Sequence, residues 1–218
     1  MEERKKYDTV IFDLDGTLLN TLEDLKDSVN YALGRAKMPL RSLEEVRHFV
    51  GNGVLRLMEL SVPEGKNNSR FEEVYAWFKE HYSVHCNDKT DIYPHIQELL
   101  AELKKRGYRM AIVSNKYYAA VQELKKLYFE DYITVAIGEK EGIRKKPAPD
   151  TVLAALEALG SEKQHSVYVG DSEVDIATAA NTGMDCIVVG WGFRTREEQK
   201  RAGGKVFAAD PLEILTLV

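Results

Sequence analysis

The stretch "TVIFDLDGTLLN", residues 9–20, places two aspartates directly after an apolar run. The four residues "TVIF" are typical of a strand buried in a parallel sheet. Asp13 and Asp15 follow two positions apart, so in an extended chain their side chains point to the same side. Ligands of open α/β sheets bind at the carboxyl ends of the strands. Two adjacent carboxylates repel each other, and Mg²⁺, which takes oxygen ligands, would offset that repulsion.

A plainer interpretation of this stretch remains open. The two aspartates can be solvated residues at the end of a strand, or Asp15-Gly16 can serve as turn chemistry alone. The residues at the ends of the other predicted strands distinguish between the two interpretations.

The composition excludes several classes of protein. The chain has 218 residues, enough for one core domain plus a smaller one, and its formal net charge of -5 provides no basic field for nucleic acid. It has two cysteines, and its charged N-terminus "MEERKKYD" lacks the apolar region of a signal peptide. No apolar run reaches the roughly 20 residues that span a bilayer. We therefore expect a cytoplasmic protein without a disulfide framework.

The remaining apolar runs alternate with helical patterns. This alternation predicts an α/β fold, with a Rossmann-like, doubly wound, mainly parallel sheet. The predicted strands are 9–12, 109–114, 165–170 and 185–190, with weaker candidates at 132–138 and 205–209, and the helices between them are 95–107, 148–160 and 173–183.

About 90 residues separate the first two strands, far more than a crossover connection needs. Apolar residues recur there at helical spacing in 21–36, 42–50 and 69–85, and Thr21 with Asp24 and Ser42 with Glu45 resemble capping boxes. We therefore predict an inserted helical domain over 20–88, with the core domain formed by 1–19 and 89–218.

Polar side chains also follow the other predicted strands. Ser114 and Asn115 end the second strand, Asp171 and Asp175 lie in "GDSEVD" after another, and Lys146 precedes Pro147 between them. Carboxylates, a hydroxyl and a lysine converging at one sheet edge suit phosphoryl transfer, because cations neutralise phosphate oxygens and hydroxyl or amide groups orient them.

Each of these residues also has a structural interpretation. Ser114 can be the N-cap of the following helix, and Lys146 can be a solvated surface lysine. Asp171 and Asp175 can cap a helix N-terminus.

The chain resembles the haloacid dehalogenase superfamily, and within it phosphatases similar to phosphoglycolate phosphatase. "DLDGT" (13–17) resembles the first family motif, "SN" (114–115) the second, Lys146 in "KPAPD" the third and "GDSEVD" (170–175) the fourth. The inserted helices resemble the small cap domain of that family.

The resemblance implies a role for each acidic residue. Asp13 would be the nucleophile that carries an aspartyl-phosphate, and Asp15 would protonate the leaving oxygen and then deprotonate water. Mg²⁺ would bind Asp13, the main-chain carbonyl of Asp15, and Asp171, with Asp175 as a water-mediated or outer metal contact. The second aspartate argues against dehalogenation, because halide leaves without a proton.

The resemblance also implies how the phosphoryl group is held. Ser114 and Lys146 would bind it, helped by main-chain or side-chain groups at Leu14, Thr17 and Asn115.

The segment "RHFVGNGV" (47–54) is similar to the cap loop of phosphoglycolate phosphatases. Gly51 and Gly53 would let backbone approach a small substrate, Asn52 between them would belong to the same substrate-binding loop, and Arg47 would pair with a substrate carboxylate. A surface arginine on a helix is the alternative interpretation of Arg47.

These observations predict a Mg²⁺-dependent phosphatase of small phosphomonoesters, with phosphoglycolate or a similar metabolite favoured. Two alternatives stay open: a sugar phosphomutase similar to β-phosphoglucomutase, and a non-catalytic regulatory protein that keeps the fold. The predicted partner is a small phosphorylated metabolite, not nucleic acid or membrane, and the protein is expected to be a monomer or a homodimer.

Overall fold

The computed structural model describes residues 6–218, which divide into two compact units. The larger unit comprises the chain through Leu18 together with Ile92–Val218, and the smaller unit is Leu19–Asp91.

A six-stranded parallel sheet forms the centre of the larger unit, with strand order β5-β4-β1-β6-β7-β8. Two further short strands, β2 and β3, pair with each other. The strands are Thr9–Phe12 (β1), Leu19–Asn20 (β2), Asp91–Ile92 (β3), Arg109–Tyr117 (β4), Val135–Glu139 (β5), Ser166–Gly170 (β6), Asp185–Val189 (β7) and Val206–Ala208 (β8).

Ten α-helices occur in the described residues. Those of the smaller unit are Leu22–Arg35 (α1), Leu43–Phe49 (α2), Val54–Ser61 (α3) and Phe71–His85 (α4). Those of the larger unit are Ile96–Lys105 (α5), Tyr118–Tyr128 (α6), Asp150–Leu159 (α7), Glu173–Thr182 (α8), Arg196–Arg201 (α9) and Ile214–Leu217 (α10).

Strand β1 is central because both of its neighbours pair with it along its whole length. Ile11 lies between Ala111 of β4 and Tyr168 of β6, and all four residues of β1 are buried. A strand flanked on both edges and covered on both faces disfavours a charged side chain, and the first one comes where β1 ends, at Asp13. On one face, Ile11 and Tyr168 belong to a core cluster that includes Val152 of α7 and Ala179 of α8.

The predicted fold class is confirmed: the sheet is parallel, helices separate its strands, and each of the six predicted strands is present. Both cysteines, Cys86 and Cys186, are free thiols. Among residues 6–218, no helix has the length and apolar character needed to cross a membrane.

The smaller unit is helical, and its helices were predicted with one exception. Helix α3, "VLRLMELS", begins directly after Gly53, inside and beyond the segment that we interpreted as a loop. Its N-cap is Gly53 with φ of 83°, so the glycine that indicated a loop also starts the helix.

The predicted capping box at Ser42 and Glu45 is present, but the one at Thr21 and Asp24 is wrong. Thr21 makes no capping hydrogen bond with its side chain. The buried Asp24 carboxylate instead accepts from the backbone N–H groups of Lys89 and Thr90 at 2.8 to 3.1 Å, and from the Thr90 hydroxyl at 2.8 Å. The local pattern assigned Asp24 to a helix cap, but its buried carboxylate instead satisfies backbone N–H groups of a distant segment.

We expect Asp24→Ala to lower the free energy of unfolding by about 2–3 kcal/mol, because it leaves the backbone N–H groups of Lys89 and Thr90 without their buried acceptor. Urea titration followed by tryptophan fluorescence measures the change, with Trp77 reporting on the smaller unit. The exposed neighbour Glu23→Ala is the matched control and should change stability by less than about 0.5 kcal/mol. Equal effects of the two substitutions would contradict this account of Asp24.

Candidate active site

The Lys146 ammonium group is the centre of a buried polar cluster in the larger unit. Its Nζ atom lies 2.6 Å from Asp13 Oδ1, 2.7 Å from Asp175 Oδ1 and 3.0 Å from the Tyr168 hydroxyl. The lysine side chain is only 3% exposed. Residues from the end of β1, from β6, from α8 and from the loop before α7 therefore meet around one cation.

Helix α8 holds Asp175 in place. The second carboxylate oxygen, Oδ2, accepts from the Ser172 backbone N–H at 3.0 Å and from the Ser172 hydroxyl at 2.6 Å. Asp175 is thus the third residue of a capping box at the start of α8. Both of its oxygens are occupied by protein donors, so its contact with Lys146 is fixed by the helix.

Burial and the neighbouring charges together shift the pKa values of the groups in this cluster. Burial lowers the pKa of Lys146, but Asp13 and Asp175 outweigh this effect and hold it well above its usual value. Burial, followed by the charge of Asp175, raises the pKa of Asp13 well above its usual value, although Lys146 opposes the shift. For Asp175 burial raises the pKa, yet Lys146 and Ser172 together bring it below its usual value. The lysine therefore stays charged, Asp175 carries the negative charge, and Asp13 binds a proton more readily than an exposed aspartate.

Asp171 lies at the same edge in a cradle of glycines. Its Oδ2 atom accepts from the Phe193 backbone N–H at 2.6 Å. A Cβ atom on Gly16 would lie 2.8 Å from that oxygen, and one on Gly192 would clash with the Asp171 side chain. Burial first, and then the charge of Asp175, raise the pKa of Asp171 to about 7.

The donor set fits a hard divalent cation. Asp13, Asp171 and Asp175 each offer a buried carboxylate oxygen, and these oxygens lie within 4.8 Å of one another. Lys146 contacts two of these carboxylates, so the cluster carries more negative than positive charge. Mg²⁺ prefers such oxygen ligands. Asp175 Oδ2 is held by two donors at 2.6 and 3.0 Å, whereas Asp13 Oδ2 has only a long contact of 3.4 Å with the Thr17 hydroxyl. The residues best placed to hold a metal are therefore Asp13 and Asp171.

Asp15 has a separate environment. Its Oδ1 atom is 2.8 Å from Lys116 Nζ, and its Oδ2 atom accepts from the Ser114 hydroxyl at 3.3 Å. The Ser114 oxygen in turn accepts from the Lys116 backbone N–H at 3.1 Å. The interpretation of Ser114 as a helix N-cap is wrong, because β4 continues to Tyr117 and that residue precedes α6.

Asn115 connects the end of β4 to the segment that carries Lys146. Its amide oxygen accepts from the Lys146 backbone N–H at 2.8 Å, and its amide nitrogen donates to the Lys146 carbonyl at 3.0 Å. This reciprocal pair fixes the backbone from which the Lys146 side chain extends.

The structure brings most of the sequence-predicted site residues to one sheet edge. Thr17 donates from its hydroxyl to Asp13 Oδ2 at 3.4 Å, and Leu14 is fully buried beside it. The predicted site residues that lie together in the larger unit are Asp13, Leu14, Asp15, Thr17, Ser114, Asn115, Lys146, Asp171 and Asp175.

The remaining predicted residues lie in the smaller unit. Arg47 belongs to α2 and donates to Glu44 at 2.7 Å, and Gly51, Asn52 and Gly53 form the turn between α2 and α3. Their role in substrate binding stays a prediction.

Three site residues were missed by the sequence reasoning. Lys116 directly follows "SN", and Ser172 stands inside "GDSEVD". Two patterns could have found them: strand alternation places 114 and 116 on one face, and Ser172 with Asp175 has capping-box spacing. No sequence pattern marks Tyr168 as a site residue, because a tyrosine in an apolar strand looks like any other residue of the hydrophobic core.

The sequence also has clear relatives. The profile of the haloacid dehalogenase-like hydrolases matches residues 10–189. A phosphoglycolate phosphatase of Cereibacter sphaeroides is 35% identical over 85% of this chain and 86% of its own length. One from Pseudomonas putida is 32% identical over 84% of this chain and 70% of its own length.

Solved structures of similar proteins have the same fold as this chain. A protein of Lactobacillus delbrueckii subsp. bulgaricus, provisionally assigned as a phosphoglycolate phosphatase, superposes with a TM-score of 0.91, covering 96% of this chain and 97% of its own at 35% identity. A predicted phosphoglycolate phosphatase of Haemophilus somnus gives a TM-score of 0.90, covering 99% of each chain at 26% identity.

The parallel sheet and the acidic cluster at its edge are typical of an enzyme with a doubly wound α/β fold. The chain belongs to the haloacid dehalogenase-like hydrolase family, as its motifs predicted. Within that family, its relatives confirm the predicted enzyme class, a phosphoric monoester hydrolase.

We expect Asp171→Asn to stabilise the metal-free protein at about pH 8. A carboxyl whose pKa rises on folding binds more protons in the folded than in the unfolded state, so stability falls as the pH rises through the range from about 4 to about 7. Asparagine keeps an acceptor for the Phe193 N–H without the charge, so we expect a gain of about 2 kcal/mol at pH 8 and a smaller gain at about pH 5.

Urea unfolding in the presence of a chelator, at about pH 8 and at about pH 5, measures the free energy of unfolding of the variant and of the parent. The exposed residue Asp131→Asn serves as the control and should show no pH-dependent difference from the parent. A variant that is less stable than the parent at pH 8 would contradict this assignment of Asp171.

Proposed function

We propose that this protein is a Mg²⁺-dependent phosphatase that hydrolyses small phosphomonoesters through an aspartyl-phosphate on Asp13, and that 2-phosphoglycolate or a similar metabolite is its substrate. The observation that carries the proposal is the contact of Lys146 with Asp13 and Asp175, beside the buried carboxylate of Asp171.

Asp13 and Asp171, with the main-chain carbonyl of Asp15, would hold Mg²⁺. Bound there, the ion would supply positive charge against the carboxylates and the phosphoryl oxygens. Lys146 would bind the phosphoryl oxygens together with the Ser114 hydroxyl, and Asp175 and Tyr168 keep its ammonium group directed towards Asp13.

The chemistry divides into two displacements at phosphorus. An Asp13 oxygen attacks the phosphorus, the bond from phosphorus to the alcohol oxygen breaks, and that oxygen takes the proton of Asp15. In the second step Asp15 takes a proton from water while the water oxygen attacks the phosphorus and the bond to Asp13 breaks. The products are the alcohol and inorganic phosphate, and a carboxylate nucleophile thus splits one difficult hydrolysis into two easier steps.

The relatives support the choice of substrate. The two bacterial relatives described above bear the name of phosphoglycolate phosphatase, and they match this chain over most of its length. A small anionic substrate of this kind fits a metabolic enzyme, and we place the protein in the cytoplasm.

Asp13→Asn tests the nucleophile. We expect at least about a 1,000-fold loss of phosphate release from 2-phosphoglycolate, since the amide cannot form the phosphoryl intermediate. Release of inorganic phosphate from a panel of phosphorylated metabolites measures turnover, with the fold verified by circular dichroism. Asp131→Asn is the control, and an Asp13→Asn variant with parental activity would refute the mechanism.

Removal of divalent metal tests the cofactor. Chelation should abolish turnover, and Mg²⁺ added back should restore it and raise the melting temperature of the parent, because a ligand that binds only the folded state stabilises it. We expect this rise to be lost in Asp171→Asn. Full activity in excess chelator would exclude a metal-dependent mechanism.

A further inference from the structure

Lys116 is a buried lysine that the phosphatase mechanism described above does not use. Its side chain is 3% exposed, and its Nζ atom lies 2.8 Å from Asp15 Oδ1. Taking an ammonium group out of water costs several kcal/mol unless a counter-ion compensates it. A buried pair of this kind differs from the surface ion pairs of the molecule, which contribute little.

The end of β4 brings Lys116 to Asp15. The pairing of β4 with β5 shifts register between Val113 and Tyr117, so the contacts themselves show where the side chains of this stretch lie. Ser114 and Lys116 both bind Asp15, and Asn115 binds the Lys146 backbone. The strand therefore presents two donors to a single carboxyl group.

The two aspartates that follow β1 have separate cations. Lys146 contacts Asp13 and Asp175, and Lys116 contacts Asp15. Loss of the Lys116 ammonium therefore removes a contact of Asp15 and leaves the contacts of Lys146 with Asp13 and Asp175 in place.

We propose that Lys116 is a positioning residue that orients the Asp15 carboxyl group for proton transfer to the leaving oxygen. This inference rests on the proposed phosphatase mechanism. Lys116 holds Oδ1, and Ser114 donates to Oδ2 over a longer distance of 3.3 Å. When the Ser114 hydroxyl turns to the phosphoryl group, Lys116 keeps its hold on Oδ1, and Oδ2 carries the proton that passes to the alcohol oxygen as the phosphorus–oxygen bond breaks.

The test compares three substrates by their demand for that proton. 2-Phosphoglycolate and 2-hydroxyethyl phosphate release alkoxides that need protonation, and 4-nitrophenyl phosphate releases a stable phenolate that does not. The variants are Lys116→Met, which removes the ammonium group, and Lys116→Arg, which retains a cation. Lys126→Met, on the exposed surface of α6, is the matched control.

For Lys116→Met we expect kcat/KM to fall about 100-fold for both alkyl phosphates and less than about 10-fold for 4-nitrophenyl phosphate, with Lys116→Arg recovering part of the loss. The ratio kcat/KM is chosen because it reports the first phosphoryl transfer and not the later hydrolysis. Equal losses for all three substrates would overturn the proposal in favour of a structural role. A loss confined to 2-phosphoglycolate would overturn it in favour of a contact with the substrate carboxylate.

A double-mutant cycle covers the case in which Lys116→Met leaves Asp15 buried without its counter-ion and the protein unfolds. Asp15→Asn combined with Lys116→Met removes both charges. If Lys116 acts through Asp15, the double variant has the same kcat/KM for the alkyl phosphates as Asp15→Asn alone. A further loss in the double variant would contradict the proposal.

The controls separate this inference from the proposed function. An active Asp13→Asn variant would overturn the phosphatase mechanism itself. An inactive Asp13→Asn variant together with a fully active Lys116→Met variant would overturn only the role of Lys116.

Discussion

The arrangement of the site depends on one buried cation, the Lys146 ammonium group. A charged group without water must be compensated by ligands of opposite charge and by hydrogen bonds, and here two carboxylates and a phenol supply them. Because Asp13 follows β1, Tyr168 lies in β6 and Asp175 lies in α8, this compensation is available only when those elements are in register. Replacing a buried ion pair by well-packed apolar residues is often neutral or stabilising, so the chemistry of the site explains the network better than folding does.

The backbone around this cation is shaped so that the carboxylates keep fixed directions. Asp175 is held by the first turn of α8, and Asp171 is held by the Phe193 N–H. Gly16 and Gly192 leave no space for a side chain beside Asp171, which allows two loops to close on one carboxylate. Burial beside other acidic groups disfavours the charged form of Asp171 and raises its pKa to about 7.

Much of the larger unit could be predicted from the sequence, because a parallel strand buried on both faces is a short continuous apolar run. The acidic cluster at the sheet edge could also be predicted, since side chains that follow neighbouring parallel strands lie close together. Local patterns failed where distant partners decided the outcome. Asp24 has capping-box spacing with Thr21, yet it binds Lys89 and Thr90, which lie 65 and 66 residues away.

The missed residues show a second limit. Helix α3 was hidden because its preceding glycines indicate a loop, and nothing local shows that the following apolar residues pack within the unit. Lys116 was hidden for a different reason: a lysine after a strand is usually solvated, and only the position of Asp15 in space makes it a buried ion pair.

The separation of Asp13 from Asp15 is what allows two neighbouring carboxyl groups to do different work. The Asp13 side chain is 8% exposed and shares its cation with Asp175, which suits a group that acts as a nucleophile inside a closed polar cluster. The Asp15 side chain is 16% exposed and has its own ammonium partner, which suits a group that must exchange a proton with an alcohol and then with water. Environments that differ in burial and in charge are how enzymes assign distinct roles to paired acids. In this chain the difference arises because the two carboxyl groups meet lysines from different segments, Lys146 from the loop before α7 and Lys116 from the end of β4.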